Sequence, residues 1–163
     1  MEISAKGLYV CGHCGTNALP EKVDRDGVLV LGPGDPPLTC SRCKTSLVRA
    51  MLDEYLIDYC EKCHGMLLAR KSFAEIVWRR RAWAAGPGIM PVRPDDREMR
   101  RTIDCPKCGA RMTTDWYYGP GGIVMDICVA CDLVWLDYGE LQQVVNAPGS
   151  DRGTQNLPNE DEI

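Results

Sequence analysis

The chain has 163 residues, a formal net charge of −4 and only 7% aromatic side chains, with a single Phe. A chain this short and this poor in aromatics excludes a large conventional core, and small metal-stapled modules fit it better. The acidic total argues against a general-purpose nucleic-acid binder, and no apolar run approaches membrane-spanning length, so no membrane partner is expected. The first residues lack a basic start followed by an apolar run. No signal peptide is therefore expected, and the chain is placed in the cytoplasm, where paired cysteines are more often metal ligands than disulfides.

Residues 1–39 carry Cys11, His13 and Cys14, followed by Gly15, whose freedom suits a backbone curling around a metal-bound sulfur. A hairpin over 23–31 with Asp26-Gly27 at its turn completes what looks like a partial ribbon. Residues 40–85 hold Cys40, Cys43, Cys60 and Cys63, with strands expected over 46–51 and 55–58. A helix over 73–84 follows, opened by a capping box of Ser72 and Glu75, with Phe73, Ile76, Val77 and Trp83 on or near one face. Residues 86–101 form a linker stiffened by proline, with a charged helical turn over 95–101. Residues 102–147 hold Cys105, Cys108, Cys128 and Cys131, strands over 111–117 and 123–127, a glycine-rich turn at 119–122, and a helix start at Asp137 and Glu140. Residues 148–163, rich in Pro, Gly, Asn and acids, read as a disordered acidic tail.

The two C-x-x-C pairs of residues 105–131 are separated by nineteen residues, and those of 40–63 by sixteen. That is the spacing of a four-thiolate zinc site: each pair sits on a tight turn that aims both sulfurs at one point, and a hairpin brings the turns together. The two stretches are also a repeat. Phe73 falls opposite Leu141, and Ile76 and Val77 opposite Val144 and Val145, so the unit repeated is a hairpin plus a helix. The fold class expected is small metal-stabilised α+β, tandem zinc ribbons each followed by a short helix.

Both copies resemble the transcription-factor-IIB-type zinc ribbon of prokaryotic proteins, whose pattern is C-P-x-C, a hairpin, C-x-x-C-G-G-x-W-L-D-x-G-E-L and a short helix. The second copy carries Trp135, Leu136, Asp137, Gly139, Glu140 and Leu141 as that pattern asks, but has Asp132 and Leu133 where the family has two glycines. The first copy keeps one glycine, in His64-Gly65, and lacks the tryptophan and the Asp-x-Gly-Glu segment. The resemblance covers roughly residues 40–77 and 105–145 and implies zinc binding. It implies transcription only by name, because a family label does not fix function.

The cofactor expected is Zn²⁺ at two structural sites, with Cys11 and Cys14 as candidates for a third. Their partners are left open: His13 or His64, a second protomer in a homodimer, a shared cluster of six thiolates, or Cys40 and Cys43 in place of Cys60 and Cys63. Cys11-Gly-His-Cys14 also matches the redox dipeptide of disulfide isomerases, but the following Gly-Thr-Asn-Ala-Leu-Pro is no helix to lower a thiol pKa. A four-thiolate zinc has no open position for water, neither histidine has an evident nucleophile beside it, and no phosphate loop is present, so no enzyme is expected. Two other functions remain. One is a protein-interaction adaptor, using exposed Trp, Tyr and Arg as anchors. The other is nucleic-acid binding, in which Arg79, Arg80 and Arg81 reach phosphates while Trp78 and Trp83 stack on bases. Residues 65–101 carry +5 against −7 for residues 102–163, so only that middle segment could serve the second function. Trp135 is expected to pack over its hairpin, and Asp137 with Glu140 to cap a helix rather than to form a catalytic pair.

Overall fold

A computed structural model describes residues 26–93 and 96–156, together with the backbone of Glu2–Ile3, Tyr9–Val10 and Asn17–Ala18. Those three short strands (β1, β2, β3) form an antiparallel sheet in the order β1-β2-β3. The pairing Val10↔Asn17 stands to Cys11 and Cys14 as the bridges Thr39↔Ser46 and Asp104↔Arg111 stand to Cys40/Cys43 and Cys105/Cys108. Cys11, His13 and Cys14 themselves lie outside the described residues, as do residues 157–163.

The main sheet has seven strands: β4 (Leu29–Pro33), β5 (Val48–Leu52), β6 (Tyr55–Tyr59), β7 (Met66–Ala69), then, after two helices, β8 (Thr113–Trp116), β9 (Val124–Cys128) and β10 (Leu133–Leu136). Their order is β4-β5-β6-β7-β10-β9-β8 and every pairing is antiparallel. Each ribbon has the same register, Val48↔Tyr59, Arg49↔Asp58 and Asp58↔Leu67 in the first being matched by Thr113↔Ile127, Thr114↔Asp126 and Trp135↔Asp126 in the second. The offset that carries Cys60 onto Cys128 carries Leu67 onto Trp135, and these two residues are cross-strand partners in the β7–β10 pairing. A local two-fold axis therefore passes between Leu67 and Trp135. The two ribbons are halves of one sheet and not separate modules on a linker.

Alternation along the central strands sorts their side chains onto two faces. Met66, Leu68, Val134 and Leu136 point into one core. There they meet Phe73, Ile76 and Val77 of α1 (Arg70–Ala82) and Leu141, Val144 and Val145 of α3 (Glu140–Asn146), the residues the repeat had paired. Leu67 and Trp135 point the other way, among Cys40, Cys60, Cys105 and Cys128. A third helix, α2 (Asp96–Arg100), occupies part of the expected linker.

Several expectations are corrected. The third strand of each ribbon, β7 and β10, was not foreseen. Helix α1 starts at Arg70, so Ser72 lies inside its first turn, and Ala69 at the cap makes no side-chain hydrogen bond. Of the hairpin expected over 23–31, residues 23–25 lie outside the described residues, and the strand that follows its turn, β4, hydrogen-bonds to β5 of the first ribbon. Within the expected tail of 148–163, the described part carries a 3₁₀ turn at Thr154–Asn156. Among the described residues, no helix is long and apolar enough to cross a membrane.

The axis also explains why the two copies depart from one pattern in opposite ways. A Cβ on Gly65 would lie 2.3 Å from Cζ2 and 2.9 Å from Cε2 of Trp135, which is fully buried. Where Trp135 stands in the second copy the first has Leu67, and where Gly65 stands in the first the second has Leu133. One indole fills the space at the axis, and the opposite copy of the repeat gives up a side chain to admit it. Gly65→Ala is expected to destabilise the protein by about 1–3 kcal/mol through overpacking. Adding Trp135→Leu should make the double variant less damaged than the sum of the single ones, as urea titration would show. Additive losses would refute the contact.

Candidate metal centres

Each zinc knuckle is built by the backbone. Lys44, His64 and Gly109 donate their N–H groups to the carbonyls of Cys40, Cys60 and Cys105 at 3.0, 2.8 and 2.8 Å. The same cysteines donate to the carbonyls of Thr45, Gly65 and Ala110 at 2.8, 2.9 and 2.8 Å. The turn this closes forces the residue after each second cysteine into the left-handed region: φ is 58° at Lys44, 59° at His64, 73° at Gly109 and 52° at Asp132. Three of these are not glycine, and each costs about 1 kcal/mol to hold there. The chain tolerates them because the knuckle is fixed by its hydrogen bonds and by what its sulfurs bind.

Two groups of four sulfurs result, Cys40, Cys43, Cys60, Cys63 and Cys105, Cys108, Cys128, Cys131, each with its Sγ atoms within 4.8 Å of one another. None of the eight is in a disulfide. Across the knuckles, Cys40 Sγ is 3.8 Å from Cys63 Sγ and Cys108 Sγ is 3.6 Å from Cys128 Sγ. A tetrahedron with metal–sulfur bonds of about 2.3 Å has edges of about 3.8 Å, so the donor set fits Zn²⁺. The acid–base chemistry agrees. In the second group, backbone and thiol hydrogen bonds hold Cys108 down at about 7, while its proximity pushes Cys131 up to about 12. In the first, burial raises Cys63, while N–H groups and Thr45 outweigh burial at Cys60 and hold it at about 7. Four thiols so close cannot all ionise without a cation among them. Bound zinc would supply a cross-link between the knuckles and no open coordination position.

The two sites are braced across the axis. Arg42, in the first knuckle of ribbon one, pairs with Asp137 of ribbon two at 2.7 Å, and Ser41 Oγ donates to the Asp104 carbonyl. Asp137 also accepts from Trp135 Nε1 at 2.9 Å and from Arg101, whose other nitrogen reaches the fully buried Asp126 at 2.6 Å. Burial alone would raise Asp137, but Arg101, Trp135 and Arg42 hold it below the usual carboxylate range. Its side chain does not cap α3. The cap position is Gly139 at φ 90°, and Glu140 instead reaches back to accept from the Asp137 N–H at 2.6 Å. Sequence reasoning missed this network, although Arg42 and Arg101 could have been sought as partners for a buried Asp. Among the described residues His64 belongs to neither four-cysteine group: its Nδ1 is 2.6 Å from the Tyr59 hydroxyl, and its ring lies 5.2 Å from that of Tyr138.

A family model described as transcription factor zinc-finger matches residues 39–77 and 104–147, just over half of the chain, and both segments enclose one four-cysteine group. The chain belongs to the transcription factor zinc-finger family. No curated protein and no solved structure matches it. Both zinc-finger segments end in the helix that closes the shared core, so the family unit here is the ribbon together with its helix.

The candidate contact residues fare differently. Arg81 is fully buried and faces away from solvent. Its guanidinium donates to the carbonyls of Val144 at 2.7 Å and Ala147 at 2.8 Å and forks onto Asp151 at 2.5 and 2.6 Å. Arg80 forks onto Asp53 at 2.8 and 2.9 Å and donates to the Asp26 carbonyl, while Arg79 pairs with Glu54 at 2.5 Å. Of the three arginines expected to reach phosphates, Arg81 is turned into the protein, while Arg79 and Arg80 pair with acids of the same chain. Trp78 and Trp83 stand 65% and 62% exposed.

Glu140 carries a pH prediction. Burial, with the Asp137 charge beside it, pushes its carboxyl up to about 8 from an ordinary 4.5. Between those values the folded chain holds a proton that the unfolded chain has lost, so this group's contribution is fully present below about 4.5 and is lost as pH rises through about 8. The fall is on the order of a few kcal/mol. Glu140→Gln keeps an acceptor for the Asp137 N–H and should flatten the decline from pH 5 to 8, as thermal midpoints compared with the parent would show. Parallel pH profiles would contradict it.

Proposed function

We propose that the protein is a non-enzymatic structural-zinc protein that acts as an interaction adaptor for a protein partner. Four thiolates complete the coordination of zinc at each site and leave no position for an activated water. The observation that carries the adaptor reading is helix α1 itself. Its three arginines are engaged with Glu54, Asp53 and Asp151, while Trp78 and Trp83 remain largely exposed. Large exposed aromatics without a free cationic stripe suit a protein contact better than a polyanion.

The test places a photo-reactive residue at position 78 or 83 and irradiates cells that make the protein. A discrete adduct, the same at both positions and unaffected by nuclease, supports the reading. A nuclease-sensitive adduct, with retention on DNA or RNA that falls steeply with added salt, would favour the nucleic-acid alternative.

A further inference from the structure

The local two-fold axis relates every strand of the sheet to another except one. β4 lies outside β5, pairing Leu29↔Met51 and Val30↔Ala50; its Val30, with the fully buried Val28 just before the strand, packs in the helix-side core. The counterpart of β5 is β8, which ends the sheet. Among the described residues no strand pairs with the outer side of β8. The Trp116 N–H, in place of a strand partner, is taken up at 2.7 Å by the Asp115 carboxylate. Beside β8, between it and α1, is an open groove of about 530 Å³ with Phe73, Ala74, Trp116, Met125, Ile127 and Val134 as its apolar lining and the charged Arg70, Lys71, Asp115 and Asp132 around them, Arg70 paired with Asp132. Met125 and Ile127 are the counterparts of Ile57 and Tyr59, and Asp115, also in the groove wall, is the counterpart of Ala50, the residue that Val30 covers.

We propose that β8 and this groove receive an extended segment of a partner protein, which adds to the sheet as an eighth strand in the place that β4 holds beside β5. The occupant is identified by what covers the equivalent position within the chain itself, a strand with apolar side chains at alternate positions. It differs at one point: where β4 has Val30 over Ala50, the partner faces Asp115 and carries a lysine or arginine. Edge strands invite such pairing, main-chain hydrogen bonds supplying affinity and alternate side chains specificity. The inference rests on the adaptor reading and adds to it the surface and the form of the partner.

The probe is a synthetic peptide with the sequence of residues 27–33 carrying Val30→Lys, titrated into the zinc-loaded full chain, with hydrogen exchange followed at residues 113–116. Saturable binding with added protection of those amides is expected. Ala74→Arg fills the groove from an exposed position on the helix and should weaken binding at least about tenfold without shifting the thermal midpoint. Trp116→Pro removes an edge N–H and should bind about tenfold more weakly than Trp116→Ala, which removes only the ring. No saturable binding, or binding indifferent to Ala74→Arg, overturns the proposal. So does self-association abolished by Ala74→Arg, which would assign the groove to a second copy of the chain. A discrete photo-adduct at positions 78 and 83 alongside a failed peptide titration would leave the adaptor reading standing and remove this surface from it.

Discussion

Replacing Cys60 by serine is expected to unfold both ribbons, not one. The lost thiolate breaks a four-sulfur site, and such a site contributes roughly 10–16 kcal/mol of apparent free energy coupled to folding. A whole domain has a margin of only about 5–15 kcal/mol. The damage cannot stay local, because Cys40 and Cys60 pack in one cluster with Cys105, Cys128, Leu67 and Trp135. On the opposite face, β7 and β10 share a single core with both helices. Circular dichroism and zinc content of the variant would check this. A protein that keeps one zinc and half of its strand signal would show that the ribbons are independent.

Arg81→Ala should cost about 1–3 kcal/mol or more, because it leaves the buried carbonyls of Val144 and Ala147 without their donor. The guanidinium does two jobs. It collects carbonyls left without partners at the end of α3, and it ties down the segment around Asp151. Arg81→Lys should recover little, since a point charge cannot make a planar fork. Asp151→Ala should cost less than Arg81→Ala, because the Asp151 side chain is half exposed. Urea unfolding of the three variants orders them, and a loss below about 1 kcal/mol for Arg81→Ala would contradict the assignment.

What the sequence showed and what it hid divide along physical lines. The eight ligand cysteines were legible because metal geometry dictates their spacing, and the helix residues Phe73, Ile76 and Val77 were legible because a repeat exposed them. Strands β7 and β10 were not. They are short and covered on both faces, so Met66 to Leu68 reads as a plain apolar run without alternation. Nothing local announces that two ribbons will pair through them. The only trace was the compensating departure of the copies, Gly65 against Leu133 and Leu67 against Trp135, and its meaning depends on the axis between them. The burial of Arg81 was not legible because its partner Asp151 is seventy residues away. Side-chain partners that distant leave no periodic signal.

The central claim is that two metal-clamped ribbons form one cooperative sheet. Native mass spectrometry during stepwise addition of a strong chelator tests it most directly, since it reads metal count and compactness on the same ion. Loss of the ions from the two four-sulfur groups in a single step, together with a shift to an extended charge-state envelope, is the predicted result. A compact, metal-free chain, or one lighter by two hydrogens for each sulfur–sulfur bond formed, would contradict it.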